Sequence, residues 1–422
     1  MTAIIQHRLP GGPLVVGYHL PGQTASIGLI IDAGSAREPA GQRGVGHVLN
    51  QAVFRRTATC DPTALRLALE DGGLRKDSAL NPEWARYWLV GLAEDLPAAL
   101  PLLAECVLAP GLDDADVAAA RAQALGRLRK RREQRELYVT DLLRASGFPG
   151  HPLSNPTLGT ADEIANLRTG HLRRYHAAHY RPDRMVLAVA GEFDWAQVLD
   201  LAASSFRPAP PWPAEPLPPA VPAAAHVGEV WPLRQQQIAL ALPGPRYGDP
   251  DFYAWAVVTQ LLGGGFTSRL FLAVRDRLGL TYGASARLVA HSSAGQVLVY
   301  GTTVPRQAVA FVAAVAETVR MLGQAGVAAA ELATAKAQLA SELVMRGEST
   351  AARMHTVLTS ALLEPEIRGI EQTEVAIAGV GPDDMARVLA HWHPGVPIGL
   401  ATVGPVRVEE VSRGLEPAPV PA

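Results

Sequence analysis

The chain of 422 residues has only two cysteines, Cys60 and Cys106, and three lysines, Lys76, Lys130 and Lys336. Two cysteines cannot build a disulfide framework, and neither sits in a zinc-finger spacing, so both read as reduced core residues. The scarcity of lysine beside abundant arginine reads as genome composition. Net charge is nearly absent: 38 basic and 40 acidic side chains leave −2 at pH 7, which excludes a global field for nucleic acid or an anionic membrane. Residues 1–10 lack the charged-then-apolar pattern of a secretory signal. No stretch of 18 apolar residues runs free of Gly, Pro or charge, so no membrane span is expected. These absences lead to the expectation of a soluble cytoplasmic protein.

What is present is core-forming material. Hydrophobic residues make up 48% and charged residues 18%, which excludes a disordered chain. The length exceeds what one hydrophobic core usually serves, so two domains are expected. The proline-rich run RPAPPWPAEPLPPAVPAAAHV, residues 207–227, favours extended polyproline geometry and reads as a semi-rigid linker. It sets domains at 1–207 and 228–422 with a linker over 208–227. The halves read as repeats, because residues 116–123 (DVAAARAQ) resemble residues 331–338 (ELATAKAQ) at a constant offset of 215. Each copy follows an Ala/Leu/Val-rich helical segment, 96–108 and 308–322.

Apolar runs at 25–33, 185–190, 236–242 and 296–302 predict buried strands, and 114–136 and 328–346 predict long helices. Strands near both ends of each half, with helices between, predict an α+β fold of two homologous α/β sandwiches.

Four stretches carry a resemblance: GVGHVLNQAVF (44–54), residues 151–194 with HPLSNPTLGTADEI and HYRPDRMVLAVAGEFD, LLGGGFTSRLFLAVRDRLGLTYGASA (261–286) and ELATAKAQLASELVMRGESTAA (331–352). In this order they resemble the pitrilysin and mitochondrial processing peptidase family of zinc peptidases. That family's inverted motif, His-x-x-Glu-His, puts two metal ligands at i and i+4 on one helix face, with the Glu between them as general base. A distant Glu completes three protein ligands and leaves an open position for water. The resemblance places the first ligand at His47, the base at Asn50 and the second ligand at Gln51. The distant Glu falls at Arg127, and the supporting Glu seven residues earlier at Ala120. Asn cannot take a proton at neutral pH and an Arg repels a metal, so this degenerate site is expected to hold no metal and to cut no peptide alone.

The second half keeps the family's Arg and Tyr, seven residues apart, which the resemblance implies bind peptide near its scissile carbonyl: Arg275 and Tyr282. Residues 77–81, with Ala79, Leu80 and Asn81, match the edge strand to which substrate adds as a further strand. Pro82 limits how far that pairing extends. Two readings follow. One is a non-catalytic subunit of a heterodimeric endopeptidase whose homologous catalytic partner supplies the zinc, similar to the bacterial pair acting on the precursor of pyrroloquinoline quinone. The other is a scaffold, like the core subunits of the respiratory bc1 complex. The basic run from Arg127 to Arg135 reads as a solvated helix face or a contact for an acidic partner. Gly263-Gly264-Gly265 has no following Lys-Ser/Thr, which argues against nucleotide binding.

Overall fold

The apolar runs form strands that are buried on both faces. In the computed structural model, which describes residues 4–210 and 215–416, β1 (Ile4–Arg8), β2 (Leu14–His19), β3 (Thr24–Ile31), β4 (Arg75–Leu80), β5 (Ala85–Leu92) and β6 (Met185–Gly191) make one sheet. Its order is β1-β2-β6-β3-β5-β4, antiparallel except for the β2/β6 pair. A second sheet holds β7 (His226–Val230), β8 (Gln236–Gly244), β9 (Ala284–Ala290), β10 (Gly295–Thr303) and β11 (Gly399–Gly404), in the order β7-β11-β8-β10-β9. Only its β7/β11 pair is parallel. Matched in chain order, β7–β11 repeat β2–β6 in both neighbours and directions. The duplication read from the sequence is therefore written in the topology, and the fold is the expected pair of α/β sandwiches.

Helices cover both faces of each sheet. One face of the first sheet packs Ile27, Leu29 and Ile31 against α1 (Val45–Ala52) and α3 (Leu96–Leu108), with α2 (Pro62–Asp71) and α4 (Asp114–Glu133) beyond. The alternate residues, including Ile30 of β3 with Val16, Val186 and Ala188, need a second cover, because period-2 side chains point to opposite faces. That cover comes from far along the chain. Helix α9 (Thr350–Leu363) lays Met354, Val357 and Leu358 across it. Gly28 of β3 makes the approach feasible, since a Cβ there would meet the Met354 sulfur at 2.2 Å.

The second sheet is treated in the same way. Its main core is built from α6 (Phe252–Gly263), α7 (Ala308–Ala325) and α8 (Ala329–Gly347). Its other face, including Ala239, Ala241, Leu298 and Val403, is covered by Val139 and Leu143 of α5 (Arg135–Gly147).

The compact units therefore differ from the contiguous halves read from the sequence. One unit is Met1–Lys130, Asn155–Pro216 and Val344–Gln372; the other is Arg131–Ser154, Leu217–Leu343 and Thr373–Ala422. The long helix expected over 114–136 is two helices, α4 and α5, that break at Gln134 and serve different units. Composition could not show this, because Gln134 at the break is an ordinary helix former and no Gly or Pro marks it. Of the proline-rich stretch, residues 211–214 lie outside the described residues. Its described parts have no regular structure until β7 begins at His226.

One helix bears on the expectation of no membrane span. The segment Pro305–Ala325, which contains α7, is long and apolar enough by length and composition to cross a membrane. It nonetheless spends Phe311, Val312, Val315, Val319 and Leu322 in the core of its unit, while Glu317 and Arg320 pair on its exposed side.

Candidate functional site

Helix α1 begins at Gly44, whose φ of +94° suits glycine, and Gly159 (φ +75°) approaches so closely that a Cβ there would lie 2.4 Å from the Gly44 Cα. Glu38 secures this start. Its two carboxylate oxygens accept the Gly44 and Gly46 backbone N–H groups at 2.6 and 2.9 Å, and burial pushes its pKa up to about 8. Such carboxylate acceptors satisfy the donors that a helix N-terminus leaves open. All of α1 is buried except Gln51, so of the motif positions on this helix only Gln51 is partly exposed.

His47 is 2% exposed, and its Nδ1 lies 3.1 Å from the Leu158 carbonyl oxygen. Asn50 is also buried. Its Oδ1 accepts the Ser78 hydroxyl at 2.8 Å, and its Nδ2 donates to the Ala79 carbonyl at 3.5 Å, so the base position is tied to β4 as a structural amide. Gln51 is the residue that turns outward. With Asn50 it lines a cleft of about 600 Å³, whose other walls include Arg66 of α2, Lys76 and Ser78 of β4, and Gln123 and Arg127 of α4. Asn50, Gln51 and Arg127 are thus gathered in one cleft. His47 is not among its lining residues.

Among the described residues β4 is the edge of its sheet and pairs only with β5. Ala79 and Leu80 lie in this strand, with the Ala79 carbonyl already engaged by Asn50. Asn81 lies past its end, where both backbone groups are taken: its N–H donates to the Trp84 carbonyl at 2.8 Å and its carbonyl accepts from Ser35 at 3.2 Å. An incoming strand therefore finds the edge over Arg75–Leu80, where the Ser78 N–H and the Ala79 carbonyl already have side-chain partners, and not Asn81.

In the other unit, Arg275 lies in a π-helical turn, Phe271–Arg277, with its guanidinium 4.7 Å from the centroid of the Phe271 ring. Tyr282 follows in the loop before β9 and is 89% exposed. The Thr281 hydroxyl pins this loop by bonding the carbonyls of Gly283, at 2.9 Å, and Thr302, at 2.5 Å. Gly263 ends α6 hard against β9, since a Cβ there would meet the Ala286 nitrogen at 2.4 Å. That contact gives the first glycine of the triplet a packing reason.

Two regions of the chain match descriptions of one family: residues 14–161 match Insulinase (Peptidase family M16), and residues 166–339 match the Peptidase M16 inactive domain. The chain belongs to peptidase family M16. An uncharacterised zinc protease of Mycobacterium tuberculosis H37Rv is 29% identical over 392 residues, covering 91% of this chain and 89% of the relative. Subunit 1 of the mitochondrial cytochrome b-c1 complex of Bos taurus is 28% identical over 261 residues, 61% of this chain and 54% of that protein. Among solved structures, an M16 inactive domain from Pseudomonas fluorescens superposes with a TM-score of 0.87 at 22% identity, covering 96% of this chain and 98% of the other. A Helicobacter pylori protease gives a TM-score of 0.86 at 18% identity, covering 96% and 100%. These two likenesses show the fold.

M16 peptidases named for zinc raise the question of whether this M16 chain could hold it. A catalytic zinc takes three protein ligands drawn from His, Cys, Asp and Glu. The positions read from the sequence as the motif, His47, Asn50, Gln51 and Arg127, would offer one imidazole, two amides and a guanidinium, and among the described residues no group of three or more His, Cys, Asp or Glu side chains is placed to hold a metal. The donor set does not fit zinc. Arg66 and Lys76 also line the cleft and were not singled out in the sequence as site residues. Only their placement on α2 and the edge strand reveals them.

Proposed function

We propose that this M16 chain is a non-catalytic subunit of a zinc endopeptidase, offering peptide-binding surfaces to a homologous partner that carries an intact His-x-x-Glu-His. The observation that carries this reading is the cleft itself. Asn50, Gln51 and Arg127 line one space where the family needs a base and two ligands. Peptide-binding features stand beside that loss. The edge of β4 is open to an added strand, and Tyr282 presents an exposed phenol that can donate to a developing oxyanion.

The test is reconstitution of the full chain with the homologous chain that carries the intact motif. Tyr282→Phe keeps the ring and removes the donor. Turnover by the pair should fall on the order of 10²–10³-fold, the usual cost of one oxyanion donor, with affinity between the chains unchanged. A mutant pair that cleaves at the wild-type rate would support the second reading, a scaffold. The similarity to cytochrome b-c1 complex subunit 1 over 61% of the chain favours that alternative.

A further inference from the structure

The cleft beside α1 has lost metal ligands and also reversed its charge. Four cations, Arg55, Arg66, Lys76 and Arg127, line it against two carboxylates, Asp77 and Asp116. Of the two carboxylates, Asp116 offsets one of these cations, Arg55, and Asp77 offsets none. Asp116 is held by Arg55 at 3.4 Å and by Arg56 at 2.8 Å. Asp77 pairs across the ladder with Trp88, whereas Lys76 pairs with core-facing Leu89. Directly paired residues share a face, so the Asp77 side chain projects to the side of the sheet opposite Lys76, and it accepts the Ser78 amide at 2.7 Å.

Three cations remain outside any ion pair among the described residues, although the Arg66 charge is felt by Asp61 at the start of α2. Lys76 reaches only the Phe54 carbonyl, at 3.1 Å, and the face of its ring; burial and the neighbouring Arg55 charge both lower its pKa. Arg66 bonds the Pro62 carbonyl and the Thr63 hydroxyl. Arg127 makes no hydrogen bond or ion pair among the described residues, and Gln51 and Gln123 likewise keep their amide donors uncommitted. Such a set suits a planar carboxylate, which guanidinium and amide N–H groups recognise with paired, charge-assisted hydrogen bonds.

The open edge of β4 says what would carry that carboxylate. A strand added there sends alternate side chains toward Lys76 and Ser78. We infer that the former metal cleft is a carboxylate subsite for an extended acidic peptide seated on β4, filled by an Asp or Glu side chain or by the peptide's C-terminal carboxylate. This inference rests on the peptide-binding role proposed above and names its substrate class.

The test uses the full chain and three labelled, alanine-rich octapeptides read by fluorescence polarisation. One carries an internal Glu and a C-terminal amide. The second carries Gln and a free C-terminus, and the third Gln and an amide. At least one anionic peptide should bind on the order of tenfold more tightly than the neutral one, and which of the two it is identifies the source of the carboxylate. The preference should shrink as salt rises from about 50 mM to about 500 mM, because exposed charges are screened. Arg127→Ala should remove most of the preference, and Arg127→Glu should shift it toward a Lys-bearing peptide. Arg66→Ala, on the exposed side of α2, gives the same readout should the Arg127 variants fail to fold. Equal binding of all three peptides overturns the subsite and leaves the peptide-binding role standing. Binding of none overturns both.

Discussion

Arg127 sits one helical turn after Gln123 on α4 and lines the same cleft as Gln51, so a cation in that space is repelled by a guanidinium. Purified full chain, mildly dialysed, should therefore carry far less than one zinc per molecule by elemental analysis. Asn50→Glu with Gln51→His restores the motif on α1 but leaves that charge in place, and the double variant should remain metal-free; adding Arg127→Glu should permit weak binding. Tight zinc in the double variant would show that Arg127 does not guard the site. Glu38 makes a separate statement about pH. Its proton is held in the fold up to about pH 8, whereas an exposed carboxyl releases it near 4.5. The native state thus binds more protons between those values, and the contribution of Glu38 to stability is lost as pH rises through that window. Denaturation midpoints of wild type and Glu38→Gln, compared between pH 5 and 8.5, should show the variant with the flatter slope. The variant should also lose about 1 kcal/mol, because a Gln amide accepts only one of the two backbone N–H bonds. A wild-type slope no steeper than the variant's would contradict this.

Among the elements, the contact between β3 and α9 offers a test of packing. Gly28→Ala drives a methyl into Met354 and should cost about 1–3 kcal/mol, the usual penalty of overpacking. Shortening the opposing side chain in the same molecule (Gly28→Ala with Met354→Ala) should recover part of it, readable in a urea titration. Sequence alone was a good guide to elements of this kind. The runs at 25–33 and 185–190 correspond to β3 and β6 within two residues, because strands buried on both faces spell unbroken apolar stretches. The helix expected around the residues that resemble the zinc motif is α1. What stayed hidden was three-dimensional partnership. Nothing in the spelling of α5 or α9 says which sheet either covers, since a sheet face asks only for an apolar stripe. Lys76 and Arg66 likewise read as ordinary surface charges until β4 and α2 bring them to Arg127. Asn81 looked like part of the edge strand, but the turn through Pro82 consumes its backbone groups.

For the whole molecule, the reciprocal loan of α5 and α9 means that neither half is a folding unit. Fragments cut at the boundary suggested by composition, 1–207 and 228–422, would each leave one sheet face bare. Each should bind a hydrophobic dye and lack a cooperative melt when made alone, and mixing them during refolding should restore both properties. A cooperative melt from 1–207 alone would refute the exchange. The same loan has a consequence in time. The first sheet has all its strands once Gly191 is made, yet α9 starts at Thr350, about 160 residues later. At the usual ~5–20 residues per second of synthesis, roughly ten to thirty seconds pass in which Val16, Ile30 and Val186 have no lid. A nascent chain in that interval offers the cell a finished, uncovered apolar wall. Its yield in vivo should accordingly depend on chaperones that engage the ribosome-bound protein, more than on those that act after release.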